Sequence, residues 1–151
     1  QLREIRTLKA RMEAERLPRG ADRKTHIKLG HGGLSDVEWV VQLTQLQQAY
    51  DHPTLRTTST LAALDAAMEA GLIDTEPGTD LRRAWELGSR IRNAGVLFRA
   101  RRIDAVPSDA READGVARIL GMPPGSGAAL ADMYRRYARR ARHAHEALFY
   151  D

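Results

Sequence analysis

The chain has no cysteine. Disulfides, thiolate nucleophiles and Cys-based zinc sites are excluded together, and this usage fits a cytoplasmic protein. Aromatic residues make up only 5% of the 151 residues. Ala and Leu therefore carry most of the apolar content, which favours helix over sheet, because neither loses much side-chain freedom in a helix. No apolar run approaches the roughly 20 residues that a membrane span requires. No signal peptide is visible, and no membrane partner is expected. Both the G-x-x-x-x-G-K-[ST] phosphate loop and the dinucleotide fingerprint are missing.

What is present is charge. The net charge of +4 is unevenly placed: residues 1–28 hold nine Lys/Arg against four Asp/Glu, and residues 29–151 hold fifteen against sixteen. Basic character therefore sits in the N-terminal arm. Such an arm either attracts phosphate-bearing partners or is simply a solvated face in an Arg-rich chain. The chain opens on Gln within a charged helical pattern and reads as a fragment of something longer.

Hydrophobic periodicity predicts an all-α fold, an antiparallel bundle of about five to six helices with an N-terminal helical arm and a short Gly-rich extended segment. Leu2, Ile5, Leu8 and Met12 mark a helix over 1–16, stopped by Pro18 and Gly20. Ile27 and Leu29 alternate with Lys28 and Gly30, which suggests the extended segment. Ser35 and Glu38 form a capping box opening a helix to about Tyr50. A third helix starts near Ser59 and closes on a left-handed Gly71, with Leu72 packing back. A fourth is predicted over 80–102, with Gly88 and Gly95 on its apolar face. Asp109 and Glu112 cap a short helix ending at Leu120, and Gly121 with Pro123 and Pro124 stops it. The last helix covers 127–150, with Leu130, Tyr134, Tyr137, Ala141 and Leu148 as its buried stripe. Two parts are expected: residues 1–25 as a terminal helix and linker, and residues 26–151 as the bundle.

Candidate chemistry is sparse. The histidines His26, His31, His52, His143 and His145 show no pair at metal-ligand spacing with a carboxylate, so surface or capping roles are expected. His143 and His145, two apart on a helix, point away from each other. Asp36 and Glu38 diverge at a helix start and make a poor clamp for the metal pair of phosphoryl transfer; Asp36 sits well at the positive helix end. Lys28-Leu-Gly-His-Gly-Gly33 has two readings. Either it is a phosphate cradle feeding a helix N-terminus, or it is a tight turn that needs positive φ. Arg90, Arg92, Arg99 and Arg101 on the fourth helix are candidate partner-binding residues, with Arg90 and Arg101 on one face; a solvated face is the alternative. The arginines of the last helix lack exposed aromatics beside them, so nucleic acid is not the expected partner.

The run from His26 to Gln42 resembles a signature of bacterial bifunctional glutamine synthetase adenylyltransferase/adenylyl-removing enzymes. There a D/N/H-x-K-x-G-x-G-G-[IL]-x-[DE]-[IV]-E-[FW] segment joins a nucleotidyltransferase domain to a helical bundle. The likeness extends upstream through Arg11-Met-Glu-Ala-Glu-Arg-Leu-Pro-Arg-Gly20 and downstream through Leu55-Arg-Thr and Leu61-Ala-Ala-Leu-Asp65. Asp36-Val-Glu-Trp39 resembles the adenylylating half. The resemblance implies an enzyme that uses ATP and Mg²⁺ to transfer AMP to a tyrosine of glutamine synthetase; its other half removes AMP by phosphorolysis. The paired-aspartate motif of that chemistry is absent here, so this piece alone should be inactive, with no bound cofactor, metal ligand or catalytic residue of its own. By the same resemblance Lys28, Gly32, Gly33, Asp36 and Glu38 lie near the nucleotide. The implied partners are glutamine synthetase, the PII signal protein and a preceding nucleotidyltransferase domain in cis. An independent Arg-rich interaction module is the alternative function.

Overall fold

The structure is a computed structural model that describes residues 1–150. Among them six α-helices form: α1 (Leu2–Arg16), α2 (Leu34–Gln48), α3 (Thr60–Glu69), α4 (Thr75–Arg99), α5 (Ala110–Ile119) and α6 (Gly127–Tyr150), with one 3-10 turn at Pro53–Leu55. The expected helix bundle is what these elements build.

Local chemistry sets most of the boundaries. The Ser59 hydroxyl accepts the Ala62 amide at the start of α3, and the Asp109 carboxylate accepts the Glu112 amide at the start of α5. Both are side-chain N-caps. Gly71 and Gly121 each take positive φ after a helix end. The Leu72 amide then reaches the Ala67 carbonyl, and the Met122 amide reaches the Ala117 carbonyl. These are the back-reaching bonds of the Schellman cap.

Three expectations need correction. Helix α2 starts two residues early, with Gly33 rather than Ser35 as N-cap and no side-chain cap bond, so the Ser35–Glu38 capping box does not form. Helix α4 runs from Thr75 rather than Asp80 and ends at Arg99 on a left-handed Ala100 (φ 54°). Arg101 therefore lies beyond the helix and shares no helical face with Arg90. The extended segment shrinks to one antiparallel bridge, His26 with Ala105. The Ile27 amide donates to the Asp104 carbonyl and the Val106 amide to the Thr25 carbonyl. Beyond Ile27 the glycines let the chain turn instead.

The core has two parts. One gathers Val37, Val40, Leu55, Leu64, Leu81 and Phe149; the other gathers Ile27, Leu34, Ile91, Val116, Leu130 and Tyr134. Trp85 and Tyr137 pack against both. Helix α6 lies against α4, α5 and α2. Its buried stripe is Leu130, Tyr134, Ala138, Ala141, Ala144, His145 and Phe149; Tyr137 and Leu148 flank it, half-buried. Helix α1 makes no comparably close approach. Its Leu2 and Leu8 stay 42% and 49% exposed, while its Lys9 is buried.

Candidate functional site

The Gly-rich segment can be read amide by amide. Leu29 donates to Nδ1 of His26 and Gly30 to the His26 carbonyl. His31 donates to the Arg23 carbonyl, and Gly32 to the Asp36 carboxylate at 2.7 Å. Gly33 donates to Gly30, Leu34 to Ile27, Ser35 to Lys28 and Asp36 to Gly33. Every amide from Leu29 to Asp36 is thus taken by a protein acceptor. A phosphate cradle needs free N–H groups aimed outward, so in this conformation the tight-turn reading holds. The anion at the positive end of α2 is Asp36 itself.

Close backbone approach explains the glycines. Gly32 has φ +69°, and a Cβ there would meet the Ala138 carbonyl oxygen of α6 at 1.7 Å. At Gly30 a Cβ would meet the His26 carbonyl oxygen at 2.3 Å. Gly32 is pressed against α6 and Gly30 against the carbonyls of His26 and Arg23 in its own loop, which leaves no room for a side chain at either point.

Asp36, 1% exposed, anchors an ionic cluster. Its Oδ1 lies 2.6 Å from Nζ of Lys9, and its Oδ2 accepts from Gly32 and from Nη1 of Arg142 at 3.2 Å. Glu13 of α1 accepts from Arg142 at 2.8 Å, pairs with His31 at 3.0 Å and approaches Lys9 at 3.5 Å. Nδ1 of the fully buried His145 lies 3.1 Å from the Asp36 carbonyl. A carbonyl only accepts, so Nδ1 carries the proton. Burial disfavours the Asp36 carboxylate, but the His145 ring, the Lys9 ammonium and the bonds from Lys9 and Gly32 outweigh it and hold the carboxyl below its usual range. Burial holds His145 below the ordinary histidine range, against the pull of Asp36. Sequence reasoning missed Lys9 and His145 as partners of Asp36. The signal for His145 was available: it falls on the stripe Leu130, Tyr134, Ala138, Ala141, and its apolar register marks it as buried.

The remaining site residues divide by placement. Gly32, Gly33 and Asp36 are buried inside the loop–helix junction. Lys28 is exposed and Glu38 half-buried. Burial pushes the Glu38 carboxyl up, opposed by the fields of Lys28 and Arg92. Lys28 and Arg92 line one cleft of about 300 Å³ with Ser89, Asn93, Val96 and Arg102. The structure thus brings Lys28 and Arg92 to one cleft, with Glu38 outside its lining but within the reach of both fields. The Nη2 of Arg92 pairs with Asp104 at 3.2 Å, and its Nε is buried without a partner. Arg99 is held by Glu112 at 3.0 Å. Arg90 and Arg101 are exposed and do not line this cleft.

This cleft suits an anion, because it presents an ammonium and two guanidinium groups beside two small polar side chains. It does not suit a magnesium ion. Glu38 stands alone, and among the described residues no three His, Asp or Glu side chains cluster as a metal site would require.

The sequence as a whole settles the family. The family described as GlnD PII-uridylyltransferase matches residues 6–149. This chain belongs to that family. Within it, the chain is 56% identical over 149 residues to the bifunctional glutamine synthetase adenylyltransferase/adenylyl-removing enzyme of Streptomyces coelicolor, covering 99% of the chain and 15% of the relative. The protein of the same name from Cutibacterium acnes is 48% identical over 151 residues, covering 100% and 15%. That of Mycobacterium leprae is 50% identical over 141 residues, covering 93% and 14%. The resemblance carried by residues 26–42 thus extends through nearly the whole chain, which spans about 15% of the length of these relatives.

Proposed function

We propose that this chain is the helical domain that follows the nucleotidyltransferase domain in the adenylylating half of a glutamine synthetase adenylyltransferase. Residues 1–25 serve as the connection to that domain and residues 26–151 as the bundle. The observation that carries this reading is the 56% identity across 149 residues with a protein of that name. The geometry adds a division of labour. The Gly-rich loop is spent on its own hydrogen bonds, so contact with ATP falls to the side chains of Lys28, Arg92 and Arg102. Glu38 tempers the positive field of that cleft. The magnesium ion and the carboxylates that hold it belong to the preceding domain, and this chain alone is catalytically silent. Glutamine synthetase is the partner whose tyrosine receives AMP, and the PII signal protein is a second partner; the protein works in the cytoplasm.

The test uses this chain within the longer protein. Lys28→Gln and Arg92→Gln should raise KM for ATP in AMP transfer to glutamine synthetase about tenfold or more, the loss of one charge-assisted contact. Circular dichroism of the bundle should be unchanged. Unaltered kinetics in both variants would overturn the assignment of the cleft. Retardation of DNA or RNA at physiological salt, without binding to glutamine synthetase, would favour the Arg-rich interaction module instead.

A further inference from the structure

We propose that the cleft between the Gly-rich loop and α6 binds a small phosphate-bearing molecule, and that this ligand competes with helix α1 for two side chains. The inference does not rest on the function proposed above. The cleft has a volume of about 490 Å³, within the range of small-molecule sites. Lys24 enters it from the linker after α1, and Arg135, Arg139 and Arg142 enter from α6. Their i, i+4, i+7 spacing stacks three guanidinium groups along one stripe. Glu146 is the one carboxylate in the lining. It is already engaged by Nε of Arg142 at 2.7 Å, and Arg135 leans on Asp132 at 3.2 Å. Lys24 and Arg139 have no side-chain ion pair among the described residues. The cleft therefore holds unmatched positive charge behind a concave wall, which concentrates anions.

Guanidinium forks match phosphate oxygens two at a time. A phosphate also carries more charge in less space than a carboxylate, so it can engage several forks and the Lys24 ammonium at once. That selects phosphate over carboxylate as the ligand group.

The coupling follows from shared residues. His31 also lines the cleft. Its Nε2 is 3.0 Å from Oε1 of Glu13, and Nη1 of Arg142 is 2.8 Å from that same oxygen. Glu13 belongs to α1. An anion that draws on His31 or Arg142 takes partners from Glu13, so Glu13 and the ligand oppose each other. By linkage, the factor by which α1 docking weakens ligand binding equals the factor by which ligand weakens α1 docking.

Calorimetric titration of the chain with inorganic pyrophosphate, ATP and succinate, at fixed ionic strength, tests this. Saturable binding of pyrophosphate, of ATP or of both is expected, with succinate binding far more weakly. The ratio of the two phosphate affinities tells whether a free phosphate or a nucleotide tail is preferred. Arg139→Gln should weaken binding about tenfold, while Arg118→Gln, the same change of charge on exposed α5 surface, should leave it intact. Glu13→Gln should tighten binding several-fold. If that variant loses its helical circular dichroism, Glu146→Gln, which frees Arg142 without touching α1, should tighten binding in its place. Absence of saturable binding, succinate binding as well as pyrophosphate, equal losses in Arg139→Gln and Arg118→Gln, or no tightening in the carboxylate variant that folds would each overturn the proposal.

Discussion

A carboxylate that is 1% exposed survives in a protein interior only when its charge is matched and its oxygens are bonded. Asp36 meets both conditions through Lys9, Arg142 and the Gly32 amide. The neighbouring His145 has the opposite problem, since burial keeps it neutral. Both groups make the fold sensitive to acid, and the signs can be worked out. The Asp36 carboxyl is held below its ordinary range, so its contribution is complete above that range and is lost as pH falls through the folded value. The folded His145 resists protonation, whereas the unfolded chain takes up the proton near the ordinary value of about 6.5. Stability therefore starts to fall as pH drops below that value. His26, also lowered by burial against the pull of Asp104, adds to the same stage. The melting temperature should decline in two stages on acidification, first near the histidine range and then in the carboxylate range. His145→Gln should shrink the first stage, and, because the His145 ring also helps hold the Asp36 carboxyl down, it should move the second stage to higher pH. An unchanged profile between neutral pH and about pH 5 would show that His145 does not carry it.

At the scale of elements, the junction of the Gly-rich loop with α6 sets the most stringent local demand. Gly32→Ala would combine positive φ with a collision against the Ala138 backbone, which has no flexible end to move. Gly121 has φ +85° but open space around its Cβ position. In urea unfolding, Gly121→Ala should cost about 1–2 kcal/mol for its backbone conformation alone. Gly32→Ala should cost clearly more, or prevent folding; similar costs would mean that the loop can retreat from α6. The glycines and caps at the ends of α3 and α5 were legible because turn and cap chemistry is local: Ser59, Gly71, Asp109 and Gly121 act on residues within five positions of themselves. The start of α2 was misplaced for the complementary reason. Its first amides are taken by the Ile27 and Lys28 carbonyls of a loop folded back upon it, so no Ser35 cap was needed. The candidate site was legible only in part. Lys28, Glu38 and Arg92 were each singled out, but their proximity depends on how α4 packs beside the loop. The contact of Asp36 with His145 spans 109 positions in sequence, far beyond the reach of any spacing rule.

For the whole molecule, the main question is what fixes α1 to the bundle. Apolar burial contributes little: Leu2 and Leu8 remain largely exposed, and Ile5 is only partly covered. The attachment is ionic, through Lys9 to Asp36 and Glu13 to Arg142 and His31. Such an arrangement favours one docking angle over many, because charged hydrogen bonds lose their value when misaligned, whereas apolar contacts tolerate sliding. Lys9→Met removes one partner of a buried charge and should destabilise the docked state by about 3–5 kcal/mol. Hydrogen exchange should then show α1 amides losing protection while those of α4 and α6 keep theirs, since the apolar clusters around Leu81, Ile91 and Leu130 do not depend on Lys9. A double-mutant cycle with Asp36→Asn should return a coupling energy of about 1–3 kcal/mol. Because the pair is buried, added salt should change that coupling much less than it would a surface pair. If Lys9→Met leaves α1 protection unchanged, apolar contacts of Ile5 and Met12 hold the helix and the ionic cluster is incidental. If all helices lose protection together, α1 is an integral part of the core and not an arm latched onto it.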